Sequence, residues 1–307
     1  MSEVLEGSDF SGSHSGAAPF RWAPPRRMAV IGGHGEMGRL FSRFFEDAGY
    51  EIQVVEKDTW PTRDKVLRTA DIVLFAVPLH ETVTIIRESI CSTRPDQLVM
   101  DLSSLKASPV REMMASSASV VGLHPMFGGR INSFWGQTLV ACPARIDPRD
   151  WQGLRRLFTA RGIRVKECTP EEHDRMMSII QVLFHMTTML IGRVLRGLGV
   201  DIAETLQYTS PSYRLEINLL GRIFAQNGAL YSAITQMNPY TKEILEHLRE
   251  SLEHYDRWYD EEDLEAFVQD FHKSALHLGD FCRQAYRESS TILDFSVRMN
   301  NACQEGE

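Results

Sequence analysis

The chain is predicted to fold as an α/β unit with a doubly wound parallel sheet, followed by an all-helical unit. Three observations predict this. From Met28 to about Lys166, short apolar runs alternate with helical segments. Near-continuous apolar strands separated by helices are what a parallel sheet covered on both faces requires. A glycine-rich turn joins the first strand to the first helix, as in a βαβ unit. After Thr169 the strand alternation stops and only long helical patterns follow. The expected divisions are a tail over 1–26, an α/β domain over 27–168 and a helical domain over 169–307.

Residues 1–26 are rich in Ser, Gly and Pro and read as a disordered tail. Strands are expected at Met28–Gly32, Glu51–Glu56, Ile72–Val77, Leu98–Leu102, Val120–Leu123, Thr138–Ala141 and Ile163–Val165. Helices are expected at Met37–Ala48, His80–Ile90 and Pro148–Ala160. The second half opens at Pro170, with Thr169 as a cap, proline in the first turn and acids at the positive end of the helix dipole. That helix is expected to run to about Gly197, with further long helices from Asp201 to Asn301.

The turn Gly33-His34-Gly35-Glu36-Met37-Gly38 follows the strand, and Glu56 ends the second strand 18 residues after Gly38. This is the dinucleotide-binding (Rossmann-like) arrangement. Gly33 permits the tight turn, Gly35 lets the backbone approach a pyrophosphate, and Gly38 allows close helix–strand packing. The helix N-terminus then faces the phosphates. Glu56 would accept a ribose hydroxyl, which favours NAD over NADP, although Lys57 beside it could tolerate a 2′-phosphate.

Composition narrows the function classes. Net charge is −8 without a long basic run, so no nucleic-acid partner is expected. The cysteines Cys91, Cys142, Cys168, Cys282 and Cys303 are scattered and form no Cys-x-x-Cys pair, so neither a metal site nor a disulfide framework is indicated. No apolar run is read as a membrane span, and the N-terminus lacks a signal-peptide core. A cytoplasmic location is expected.

The first helix of the second half is apolar almost all round, which predicts burial. Ser178, Gln181, His185 and Thr188 form a polar stripe along one helical face at i, i+3, i+7 and i+10. The stripe reads either as an interhelical hydrogen-bond ladder or as the lining of a wet cavity between the domains. His185, a titratable group, favours the cavity.

Two further segments lie at strand ends, where ligands bind in open α/β sheets: Asp101-Leu-Ser-Ser-Leu-Lys106 and Gly122-Leu-His-Pro-Met-Phe-Gly128. A third, Ser210-Pro-Ser-Tyr-Arg-Leu-Glu with Gly221-Arg-Ile-Phe-Ala-Gln226 and Leu230-Tyr231, lies in the helical half. With the glycine turn, Val77-Pro-Leu-His80, His173-Asp174 and Ile180-Gln181, these segments resemble the prephenate dehydrogenase family. The likeness is greatest to the dehydrogenase part of the bifunctional chorismate mutase–prephenate dehydrogenase proteins, and it covers nearly the whole chain from Met28 onward.

The resemblance implies a Rossmann-like domain, a helical dimerisation domain and a homodimer. It implies NAD-dependent oxidative decarboxylation of a small cyclohexadienyl carboxylate. In the roles it implies, His124 accepts the proton of the C4 substituent, Ser104 hydrogen-bonds the same substituent, and Lys106 supports the site electrostatically. Arg222 pairs with a substrate carboxylate, with Gln226, Tyr231, His185 and Gln181 close by. Arg214 matches a family arginine whose role is substrate binding or structural. Val77 and Pro78 join Gly33, His34, Gly35, Glu36, Met37, Gly38 and Glu56 at the cofactor.

Two departures bear on the substrate. Tyrosine-pathway relatives usually show Ala-Leu-Arg-His where this chain has Val182-Leu-Phe-His185, so Phe184 replaces an arginine. Phe-Gly-Gly129 stands where the family has Phe-Gly-Pro. Loss of a cation suits a substrate that carries its own positive charge. The expected substrate is therefore 4-amino-4-deoxyprephenate, giving 4-aminophenylpyruvate in antibiotic-type biosynthesis. The alternative is prephenate, giving 4-hydroxyphenylpyruvate for tyrosine. A non-catalytic dinucleotide-binding regulator would need a damaged catalytic set, whereas His124, Ser104, Arg222 and the turn are all present. A β-hydroxyacid dehydrogenase would need a lysine on the first helix after Thr169, and none is there.

Overall fold

The computed structural model describes residues 20–304. The chain divides into two units. The first runs to Cys168, except that Pro78–Val83 and Ser104–Ser108 group with the second, which continues from Thr169.

In the first unit, β1 (Arg27–Ile31), β2 (Glu51–Val55), β3 (Ile72–Phe75), β4 (Leu98–Asp101), β5 (Ser119–Pro125), β6 (Thr138–Arg145) and β7 (Arg164–Glu167) form one sheet. The order is β2-β1-β3-β4-β5-β6-β7. Winding therefore reverses at β1, between β2 and β3, and the glycine turn lies at that switch point. One expectation is corrected: β5 and β6 pair antiparallel, while every other pair is parallel. The connection from Met126 to Gln137 contains no helix, so it cannot make the crossover that a parallel pair needs.

Alternate residues of the strands feed two cores. Met28, Val30, Leu74 and Met100 pack with Phe41, Phe44, Phe45 and Phe158 on one face. Ala29, Ile31, Phe75 and Val99 pack with Leu67, Ile86 and Met113 on the other. The covering helices are α1 (Glu36–Glu46), α2 (Arg63–Thr69), α3 (Leu79–Ser89), α4 (Ala107–Met113) and α5 (Pro148–Thr159). Periodicity misses α2 and α4, since each is only 7 residues long, too short to display a stripe.

The expected tail is also corrected. Residues 1–19 lie outside the described residues, but Phe20 to Arg26 pack on the sheet unit. Trp22 is 2% exposed, and its indole donates to the Asp96 carbonyl at 3.2 Å. Tyr50 donates to the Trp22 carbonyl at 2.8 Å, and burial raises the Tyr50 pKa. Two aromatic residues among prolines and arginines were outweighed by the Ser/Gly composition before them.

The second unit is helical: α6 (Pro170–Met177), α7 (Phe184–Gly197), α8 (Ile202–Thr205), α9 (Pro211–Phe224), α10 (Gly228–Met237), α11 (Thr241–Asp260), α12 (Leu264–Leu278) and α13 (Phe281–Gln304). Thr169 caps α6 in a full capping box with Glu172, and Pro170 occupies the first turn. The run to Gly197 is one helical stretch, but Ser178–Leu183 is a π-helical segment inside it.

The expected burial of this helix is overturned within the single chain. No residue of α7 is buried, and Phe184, Ile191, Val194 and Leu198 are all at least half exposed. The stretch Pro170–Gly197 is also long and apolar enough to cross a membrane by length and composition, contrary to expectation. Cys142 and Cys168 lie 4.0 Å apart at Sγ, because β6 and β7 are neighbours. Nothing in their spacing announces this.

Candidate active site

The glycine turn has the steric signature of a diphosphate cradle. A Cβ at Gly33 would stand 2.7 Å from Val54, and one at Gly38 would stand 2.2 Å from the Gly32 carbonyl. Neither position admits a side chain. At Gly35, by contrast, a Cβ meets only carbonyl oxygens at 3.4 and 3.9 Å, so open ground lies beside it. No side chain caps the N-terminus of α1, leaving its first amides to a ligand. Val77 backs the turn, with its Cγ1 3.0 Å from a Cβ built on Gly32.

Glu56 closes the far side. One of its oxygens accepts the His34 amide at 2.7 Å, and its own amide donates to Thr59 Oγ1 at 2.8 Å. The carboxylate is thus held against the backbone of the turn. Met37 packs against the core under the turn. Glu36 faces outward and pairs with Arg130, whose Nη2 lies 2.7 Å from Oε1. Arg130 is a site candidate that the sequence reading did not name. The signal was present: the departure to Phe-Gly-Gly129 immediately precedes it.

His124 is the penultimate residue of β5 rather than a loop residue, and is 3% exposed. It stands opposite Val140 of β6. A buried imidazole at a strand end is held rigidly, which suits a general base. At the end of β4, buried Asp101 accepts the Ser103 amide at 3.0 Å and also bonds the Ser103 hydroxyl. That folds the chain sharply just before Ser104.

In the second unit, the half-buried Ser104 and the fully buried Lys106 sit on the segment leading into α4. Asp174, 2% exposed, accepts the Lys106 amide at 2.7 Å, the Ala107 amide at 3.0 Å and His173 Nδ1 at 2.8 Å. Asn238 donates to the Asp174 carbonyl at 2.9 Å. Asp174 therefore fixes the backbone that carries Ser104 and Lys106. The sequence reading noted its motif without giving it this task.

The polar stripe is partly assembled. Ser178 is buried and donates to the Arg175 carbonyl at 2.7 Å. Gln181 lies in the π-helical segment. His185 meets the ring of Tyr231 edge-on, with centroids 4.8 Å apart. Burial lowers the His185 pKa and raises that of Tyr231, the latter opposed by the charge of Arg222. Burial therefore disfavours the charged form of His185, and Arg222 is near enough to Tyr231 for its charge to register.

Arg222 is exposed on α9 and has no ion-pair partner among the described residues. Gln226 donates to the Arg222 carbonyl at 3.0 Å. Arg214 is half-buried with its Nε atom unsatisfied. Phe184, one residue before His185, is 64% exposed. Pro78 is exposed, and its carbonyl accepts Thr82 Oγ1 at 3.1 Å. Among the described residues, no three His, Cys, Asp or Glu are grouped so as to hold a metal.

Comparisons with known proteins agree with this division. Residues 37–167 match the profile of the prephenate dehydrogenase nucleotide-binding domain, and 169–273 match that of the prephenate dehydrogenase dimerization domain. The T-protein of Haemophilus influenzae is 31% identical over 87% of this chain and 71% of its own. A probable arogenate/prephenate dehydrogenase of Methanocaldococcus jannaschii is 30% identical over 82% of this chain and 61% of its own. The 4-amino-4-deoxyprephenate dehydrogenase of Streptomyces pristinaespiralis is 27% identical over 69% of this chain and 78% of its own. The fold is that of crystalline A. aeolicus prephenate dehydrogenase in complex with hydroxyphenyl propionate and NAD+, with TM-score 0.63 and 17% identity over 83% of this chain and 98% of that one. With both domain profiles spanning 37–273 and a relative 31% identical, this chain belongs to the prephenate dehydrogenase family.

Proposed function

We propose that the chain oxidatively decarboxylates a prephenate-type cyclohexadienyl acid with NAD, and that its substrate is 4-amino-4-deoxyprephenate. The observation that carries the reaction class is the buried His124 near the C-terminal end of β5, in the same sheet as the strand that leads into a glycine turn shaped for a dinucleotide.

NAD bound at the turn supplies the hydride acceptor. The remaining work falls to the chain. Arg222, which has no acidic partner among the described residues, pairs with a substrate carboxylate. Ser104 and His124 bond the C4 substituent, and His124 takes its proton as the hydride leaves C4. The C1 carboxylate departs as CO2, its bonding electrons enter the ring, and the ring becomes aromatic. Lys106, on a segment whose backbone Asp174 holds, adds positive charge that favours the substrate's carboxylates. His185 and Tyr231 form a neutral wall.

That neutral wall supports the amine. The turn from Gln181 to His185 carries no cation, because Phe184 stands where many relatives have arginine and burial disfavours the charged form of His185. A C4 ammonium meets no like charge there. The alternative, prephenate, is supported by the identity with the M. jannaschii protein. Side-by-side kcat/KM values with NAD in excess decide between them. We expect the amine to be favoured by at least about tenfold, the factor that ~1.4 kcal/mol of differential binding supplies. A tenfold preference for prephenate overturns the amine, and no turnover of either overturns the reaction class. We further read the exposed apolar helices as the surface on which a second copy docks, and the location as cytoplasmic.

A further inference from the structure

We propose that Arg130 is a cofactor-binding residue, and that the Glu36–Arg130 pair delivers its guanidinium to the diphosphate of the dinucleotide. The inference rests on the reading of the glycine turn as the NAD site.

Glu36 is the first residue of α1, where the turn offers its amides to a diphosphate. A carboxylate there opposes the anion that the turn is built to receive. Arg130 cancels that charge. Its Nε and Nη2 both approach Glu36 Oε1, at 2.9 and 2.7 Å, while the side chain stays 89% exposed. The guanidinium has five N–H donors, so most of them remain available. A planar fork of this kind is suited to phosphate oxygens.

The loop carrying Arg130 is seated on the turn. A Cβ built on Gly129 would lie 2.7 Å from Glu36 Cβ and 2.8 Å from the Glu36 carbonyl carbon. Only glycine lets the loop lie this close to the start of α1. Its root is fixed as well: the Phe127 ring lies parallel to that of Phe41 at 6.4 Å and meets Phe134 edge-on at 6.1 Å. An isolated surface ion pair needs neither feature. The residue pattern Gly129-Arg130 and the acid at Glu36 form one device: a glycine for approach, an acid as tether and an arginine as ligand.

The test is calorimetric titration of the intact protein with NAD, ADP-ribose and adenosine. Arg130→Ala is expected to weaken NAD and ADP-ribose about tenfold, the value of one charge-assisted contact. Adenosine, which lacks the diphosphate, is expected to change less than twofold. The loss is expected to persist in the Glu36→Gln background. The proposal is overturned if Arg130→Ala binds NAD within twofold of wild type, or if adenosine weakens equally. It is also overturned if Glu36→Gln restores Arg130→Ala to wild-type affinity, since Arg130 would then only mask the acid. Failure of the wild-type protein to bind NAD would instead remove the cofactor reading itself.

Discussion

Gly38 and His185 mark the two ends of what single residues disclose here. Gly38 was legible because its constraint is local: a Cβ would strike the Gly32 carbonyl at 2.2 Å, and only glycine meets that demand. Glu56, the residue after β2, is held to the same turn by the His34 amide. Asp174 and Arg130 were not legible. Each acts on a backbone or side chain more than sixty residues away in sequence, Asp174 on Lys106 and Arg130 on Glu36, and spacing carries no trace of that. His185 was found as a polar residue on an apolar helix, but its protonation state comes from burial beside Tyr231. Its lowered pKa means that the unfolded chain binds this proton more readily than the folded one. Stability contributed by neutral His185 is thus present above its unfolded value, ~6.5, and declines as pH falls through that value toward the folded one. Replacing it by glutamine removes that slope. The wild-type urea midpoint should therefore fall, relative to that of His185→Gln, between pH 7.5 and 5.5. A difference that is constant across this range would show that His185 titrates as it does in the unfolded chain.

Elements were legible in proportion to their length and to how far their partners were local. The strands β1 to β4 announced themselves as apolar runs, and the capping box at Thr169 announced α6. The short α2 and α4 did not, and the antiparallel β6 depends on a helix-free connection rather than on any residue pattern. The π-helical segment Ser178–Leu183 is the more instructive miss. Such segments insert a residue into an α-helix and frequently occur at functional sites. Here the inserted turn changes the angular relation of Ser178 and Gln181 to His185, so the stripe read at regular α-helical spacing is not straight. The N-terminal approach to β1 gives a stability prediction at the same scale. Trp22 is buried against the sheet, and its backbone carbonyl receives Tyr50. Trp22→Ala should cost ~3–5 kcal/mol in urea unfolding, the usual range for emptying a buried aromatic site. A cost below ~0.5 kcal/mol, as for an exposed residue, would return this segment to the tail.

At the scale of the molecule, the two units use their apolar residues differently. The sheet unit buries its own: β1, β3 and β4 are closed on both faces within one chain. The helical unit leaves many large apolar residues at its surface, and along α7 and the cap residue after it three of them fall in register. Phe184, Ile191 and Leu198 recur every seven residues, two helical turns, with exposures of 64, 53 and 73%. Contiguous apolar surface of this kind is rare on a chain that remains alone in water and marks an interface. Three surfaces could cover it: a bilayer, an unrelated partner or a second copy. The matched family domain is described as a dimerization domain, which supports our reading that a second copy covers it. In a two-fold interface the same patch serves both partners, so one charged substitution is introduced twice. Ile191→Asp should therefore convert a dimer at micromolar concentration into a monomer in sedimentation analysis. On a face open to water, the same change should shift stability by no more than ~0.5 kcal/mol and leave the mass unchanged. A monomeric wild-type protein, or an Ile191→Asp variant that remains dimeric, would exclude α7 as the docking face. Dissociation accompanied by loss of turnover, with NAD affinity retained in the sheet unit, would show that the helical site needs the second copy while the glycine turn does not.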